Sequence, residues 1–166
     1  MSKSIDFGYT DTAIGGSPTL NLLRGSVNFG ADFRVKTDKK DELVLTNITS
    51  PIDRPEKFRI AYSVVENAYT GSGISPGYQA PSLKGASVLI QLTEVASITD
   101  SEDPSFRVDA PISVHCVVKV PAIEELTETH IQTVLARMLS GFYETGSTTT
   151  TRLKALIRGS LIPTDL

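Results

Sequence analysis

Tryptophan is absent from the 166 residues, and cysteine occurs once, as Cys116. A lone thiol excludes any disulfide framework within the chain and makes a reducing, cytosolic site of synthesis the natural expectation. Histidine is nearly as scarce, with His115 and His130 the only two. Two histidines and one cysteine cannot build a four-ligand zinc set, so no metal is expected, and no cofactor either. Long apolar runs are missing too. The stretch around Val117 and Val118 is broken by Lys119, far short of the roughly 18 residues that a membrane helix needs. No apolar segment follows Lys3, so no secretory signal is expected. Finally, the net charge of −3 lacks the basic excess of a free nucleic-acid binder. That balance argues against RNA or DNA contact unless the cations gather on one face.

The rest of the composition is that of an ordinary globular domain. Hydrophobic residues make up 40% and charged residues 21%, which argues against disorder. The length fits one domain over 1–166, divided into a β region to about residue 125 and a helical region over about 127–161.

Two short extended candidates come first, at residues 20–23 and 32–36. Residues 42–49 are β-rich and stop at Ser50-Pro51, where proline cannot continue a ladder. Residues 57–64 alternate, with Phe58, Ile60, Tyr62 and Val64 opposed by Lys57, Arg59, Ala61 and Ser63. Residues 87–95 set Val88, Ile90 and Leu92 against Ser87, Gln91 and Thr93. Over 106–120, Val114, Cys116, Val118 and Val120 face away from Ser113, His115 and Lys119. The connections carry no crossover helix: 69–85 holds four glycines and two prolines, and 99–104 is short and acidic. An antiparallel meander follows, because parallel neighbours need a crossover of a dozen or more residues.

The period then changes. Ile131, Val134, Leu135, Met138, Leu139 and Phe142 form the apolar stripe of a helix over 127–144. Thr127 or Thr129 can cap its start, the latter with Gln132 as a capping box, and Gly146 is placed to end it in the left-handed conformation. A second helix over about 150–161 sets Leu153, Leu156, Ile157 and Leu161 on one side before Pro163. Strands first and helices last is the α+β order. One sheet face is apolar; the other gathers Lys57, Arg59, Gln91, Thr93, Ser113, His115 and Lys119, while many acids lie in loops and helix ends. The negative total therefore does not forbid a basic surface.

Several tempting chemistries fail on geometry. His115 and Cys116 are strand neighbours and point to opposite faces, so they cannot form a nucleophilic dyad. The glycine-rich residues 71–77 are followed by prolines and a strand rather than a helix, which excludes a phosphate loop. Glu124, Glu125 and Glu128 read as a helix entry complementing the dipole rather than paired catalytic acids. No enzyme is expected. The alternative is a small α+β ligand-binding domain or enzyme using the open sheet face, but Glu94 and Glu66 find no partner for such a site. A purely structural assembly protein that never meets nucleic acid is a further alternative.

With its strands followed by two helices, the chain resembles the coat proteins of the single-stranded RNA bacteriophages. The likeness rests on the stretch Ser113-Val114-His115-Cys116-Val117-Val118-Lys119-Val120-Pro121, on Leu135-Ala136-Arg137-Met138-Leu139, and on Arg152-Leu153-Lys154-Ala155-Leu156-Ile157-Arg158-Gly159. It implies a short N-terminal β-hairpin, a sheet of about five antiparallel strands and two C-terminal helices, with sheet and helices completed in a homodimer. The dimer interface would then be Ile131, Val134, Leu135, Met138, Leu139, Phe142, Leu153, Leu156 and Ile157. The polar sheet face would line the inside of an icosahedral shell and bind single-stranded genomic RNA through Lys57, Arg59, Ser63, Gln91, Thr93, Ser113, His115 and Lys119. Translational repression through an RNA hairpin is a further implication, although the tyrosine and asparagine that serve it on the last strand of well-known members are missing here. Location in a virion, after synthesis in a bacterial cytoplasm without membrane contact, completes what the resemblance implies.

Overall fold

The computed structural model describes residues 5–8, 27–103, 105–147 and 150–163. They belong to two compact units, one of residues 26–123 and one of residues 124–166 with residues 1–25. The expected strand at 20–23 lies outside the described residues.

In the first unit a single helical turn, α1 (Phe29–Asp32), leads into β1 (Phe33–Lys39), followed by β2 (Glu42–Asn47), β3 (Lys57–Val65), β4 (Gly85–Thr99) and β5 (Arg107–Pro121). These strands form one antiparallel sheet in chain order, β1-β2-β3-β4-β5. The α+β meander read from the alternation is thus the observed architecture. Asp32, expected at the start of a strand, instead closes α1, whose N-terminus is capped by the Asn28 side chain accepting from Ala31 N–H at 3.1 Å.

The β4–β5 ladder is the long one. Fifteen residue pairs run without a register shift from Gly85 opposite Pro121 to Thr99 opposite Arg107. β1 is shorter and is interrupted by a bulge between Val35 and Thr37. Gly85 is obligatory by proximity, since a Cβ there would meet the Val120 carbonyl oxygen and stand 3.0 Å from the Ala68 Cβ. The long connection 66–84 contains only a 3-10 turn at Pro76–Tyr78. It is closed by Ala68 N–H donating to the Leu83 carbonyl at 2.8 Å and by the Tyr69 hydroxyl accepting from Ala80 N–H at 3.0 Å.

Packing on the apolar face begins with three aromatic rings. Phe29 meets Phe58 edge-on at 4.9 Å and Phe33 at 5.4 Å, an arrangement that favours aromatic pairs. Phe33 is the only buried hydrophobic residue described, at 5% exposure. Further along the same face, Ile90 (43%), Ile112 (49%) and Val114 (64%) stay exposed in a single copy of the chain.

In the second unit, α2 runs Glu128–Ser140 and α3 Leu153–Leu156. The helix starts at the expected place, but its box partner is His130: the Thr127 N–H donates to His130 Nδ1 at 3.2 Å. Thr129 and Gln132 act within the helix instead, where the Thr129 carbonyl accepts from the Thr133 hydroxyl and Gln132 donates to Glu128. α2 also stops earlier than its stripe. Gly141 follows Ser140, Phe142 falls beyond the end, and the chain turns extended so that Tyr143 bridges Thr151. Gly146 does take a left-handed conformation, φ 76°, but in that turn rather than at the helix terminus. The bridge also removes the first residues expected of the second helix. Its end is a Schellman arrangement: Gly159, at φ 83°, donates to the Leu156 carbonyl and Ser160 to that of Ala155. None of the α2 or α3 residues is buried in the single chain.

Candidate nucleic-acid interface

The strand registers convert the alternation of three strands into rows across one sheet face. Lys57 lies opposite Thr93, which lies opposite Ser113. The next row is Arg59, Gln91 and His115; the third is Ala61, Leu89 and Val117; the fourth is Ser63, Ser87 and Lys119. All eight residues expected to touch RNA therefore share one face, and they occupy three of the four rows. Rows two residues apart along a strand are separated by about 7 Å, so the set spans roughly 20 Å. The gap is the apolar third row. Gln91 Nε2 donates to Ser113 Oγ at 3.2 Å, which ties two of these residues together.

Charge on this face is less free than the strand pattern alone implies. Arg59 Nε lies 2.5 Å from Glu42 Oε1, since Glu42 on β2 is opposite Ala61 and shares the polar face. Asp109 shares it as well, opposite Ser97. The expectation that acids keep to loops and helix ends fails for these two. Lys57 and Lys119, by contrast, form no ion pair among the described residues. What hid Glu42 was the loop 48–56: the parity of β2 is readable, but which of its faces joins that of β3 depends on a register set across that loop.

A second cluster occupies the end of the same face near residues 99–107. Arg107 Nη2 donates to Asp109 Oδ2 and to Asp53 Oδ2, both at 2.7 Å, so one guanidinium joins β5 to the β2–β3 loop. Ser97 Oγ donates to Asp109 Oδ1 at 2.5 Å. With the Arg107 hydrogen bonds as first cause and that of Ser97 as second, the Asp109 carboxyl is pulled down to about 2, and Asp53 is lowered by the same arginine. Arg54, 3.0 Å from Asp53, brings the cluster to two guanidiniums and two carboxylates, which leaves no cation free for a phosphate.

His115 pairs with Gln91 on the polar face and Cys116 with Ile90 on the other, so the two side chains diverge. Among the described residues no three His, Cys, Asp or Glu side chains converge to hold a metal ion. Glu94 stands on the apolar face opposite Ile112, and Glu66 lies 4.0 Å from Lys84, so neither meets the polar rows.

No protein-family profile matches the sequence, and no curated protein does. Solved structures do. The subunit of the virus-like particle of bacteriophage AVE015 is 28% identical and superposes with a TM-score of 0.89, covering 99% of this chain and 100% of that one. The chain has a phage coat-protein fold. A second example, the virus-like particle of bacteriophage GQ-112, agrees in fold at 17% identity and a TM-score of 0.81, with 96% of this chain and 98% of that one covered. The more distant particle of bacteriophage PQ-465 still shares the fold, at 13% identity and a TM-score of 0.52 over 81% of this chain and 91% of that one. The coat-protein fold belongs to a structural protein rather than an enzyme.

Proposed function

We propose that the chain is the coat subunit of a single-stranded RNA bacteriophage, which pairs with itself, assembles into an icosahedral shell and packages RNA against its polar sheet face. The observation that carries this reading is the end-to-end likeness to the AVE015 particle subunit, with no part of that chain left uncovered. Self-association is supported by the scarcity of buried side chains in one copy: apolar faces on sheet and helices need a partner to leave water. The helix stripe of Ile131, Val134, Leu135, Met138, Leu139 and Phe142, continued by Leu153, Leu156 and Ile157, is assigned to that interface, and sheet and helices together act as one coat domain. RNA contact is assigned to Lys57 and Lys119 for phosphates, with Ser63, Gln91, Thr93, Ser113 and His115 facing bases splayed from single strands. Arg59 contributes once its Glu42 partner is displaced or neutralised.

Expression of the protein alone in a bacterium tests the reading directly. Gel filtration and negative-stain microscopy should show spherical particles, and the 260/280 nm absorbance ratio should be that of nucleic acid, since five tyrosines and no tryptophan give the protein little absorbance at 280 nm. Particles with a protein spectrum would leave a shell without RNA packaging, and a small RNA-free species would refute the coat role. Translational repression is tested separately, by asking whether disassembled dimers bind one hairpin from the cognate genome more tightly than unrelated hairpins.

A further inference from the structure

The polar face does not run out freely at the end where β3 and β4 are joined. One row beyond Ser63, Ser87 and Lys119, about 7 Å on, stand Val65, Gly85 and Pro121. Gly85 shares the parity of Ser87, so a Cβ on it would point out of the polar face. That Cβ would stand 3.0 Å from the Ala68 Cβ, and Gly85 is buried. The connection 66–84 therefore begins on the polar side of the sheet and covers the row next to Lys119. Its composition is unlike that of the rest of the chain, because no residue between Glu66 and Lys84 is charged. It is also ordered from within. Beyond the two hydrogen bonds at its neck, Gln79 Nε2 donates to the Ile74 carbonyl at 2.8 Å and Tyr78 N–H to that of Ser75 at 2.9 Å. The Tyr78 ring takes no part in this order. It is 87% exposed, whereas the next most exposed aromatic side chain described, Tyr62, is 47% exposed.

We propose that Tyr78 is a stacking contact for an RNA base, held beside the Lys119 end of the polar face by the loop 66–84. This rests on the RNA reading of that face and adds to it a residue that lies on no strand. Single strands are held by cations along their backbone and by flat rings on which their bases stack. The four rows supply Lys57, Lys119 and hydrogen-bonding side chains, but His115 is their only ring. Other tyrosines near this end are unsuited. Tyr62, opposite Val88, has the parity of the apolar face. Tyr69 is tied through its hydroxyl to Ala80 N–H at 3.0 Å. Tyr78 alone of the three is both unengaged and open to solvent. Because the loop fixes its backbone before RNA arrives, little conformational freedom is left to lose on binding. Charge does not oppose the approach of a phosphate chain either. The loop itself is neutral, and Glu66 and Lys84 at its two ends lie 4.0 Å apart and offset each other.

The test uses full-length dimers released from particles and a labelled, unstructured RNA, with fluorescence anisotropy read at several salt concentrations. Tyr78→Ala should weaken binding by about fivefold or more. The loss should be the same at every salt concentration, because no charge is removed and the slope of log affinity against log salt stays as it was. Tyr78→Phe keeps a flat ring and should bind like the unaltered protein. Gel filtration should find dimers of both variants, since a ring so exposed holds nothing in place. If Tyr78→Ala binds as tightly as the unaltered protein while Lys57→Ala/Lys119→Ala flattens the salt slope, the stacking contact is overturned and the polar face stands. If neither variant differs from the unaltered protein, the RNA reading of that face fails and takes the contact with it. A Tyr78→Phe protein as weak as Tyr78→Ala would overturn stacking in favour of the hydroxyl. Dimers of Tyr78→Ala that bind RNA fully but no longer form particles would overturn the proposal too, and make the ring a contact between copies.

Discussion

Removing Lys57 and Lys119 together takes from the polar face the two cations that have no acidic partner among the described residues, while Arg59 remains held by Glu42 at 2.5 Å. In a pair of copies the double alanine variant loses four positive charges. Each phosphate contact on single-stranded nucleic acid contributes about 0.7 to the slope of log affinity against log salt, so the slope should flatten by about 3. Over a rise from 50 to 200 mM salt, the variant's affinity should therefore fall roughly 50-fold less than that of the unaltered protein. Glu42→Gln should act in the opposite direction. With its partner neutral, Arg59 is free for a phosphate, and the slope should steepen by up to about 1.4 for the pair of copies. The assay is fluorescence anisotropy of an unstructured labelled RNA against dimers released from particles, titrated at several salt concentrations, with gel filtration to establish that dimers persist. Parallel salt plots for the unaltered protein and Lys57→Ala/Lys119→Ala would refute the placement of RNA on this face.

Three further perturbations test the sheet itself. Phe33→Ala empties the most buried side chain from the ring cluster with Phe29 and Phe58, and should cost about 3 to 5 kcal/mol in urea denaturation; a change below 1 kcal/mol would mean that the cluster holds little. Gly85→Ala forces a methyl group against Val120 and 3.3 Å from the Pro121 Cα, and should destabilise by about 1 to 3 kcal/mol; an unchanged melting temperature would contradict the close approach. Asp109 should titrate near 2, below its ordinary 3.8. Because its folded value is depressed, its contribution is complete above 3.8 and is lost as pH falls toward 2. Carboxyl carbon NMR measures this, and Arg107→Ala should return the midpoint toward 3.8; no movement would show that the guanidinium is not the cause.

Much of this architecture was legible because period and punctuation agree. Alternation over residues 57–64 and 87–95 fixed two strands and both faces, and short or glycine-rich connections required the antiparallel order. The polar rows followed as well, since side-chain direction along a strand is settled by parity alone. Position across strands was not. Glu42 could be placed on a face of its own strand, but its meeting with Arg59 depends on a register that no local pattern encodes. Arg107 reaching Asp53 is harder still, because it joins residues 54 apart through a loop whose path is set by tertiary structure. The helical end misled for a local reason. The apolar stripe continues through Phe142, yet Gly141 and the Tyr143–Thr151 bridge divert the backbone before the stripe is used up. Of the two threonines offered as caps Thr127 serves, and its box partner is a histidine ring nitrogen rather than the Gln132 expected with Thr129.

The bulge in β1 acquires a meaning beside the straightness of β5. A ribbon of strands with two receptive borders joins neighbour after neighbour and grows without limit, whereas one with a single receptive border has a valence of one. Here the distorted border, studded with Lys36, Asp38 and Lys39, declines what the straight border invites. If the proposed self-association uses the straight border, strand addition stops after one partner, and further growth of a shell must come from surfaces other than the sheet's hydrogen bonds.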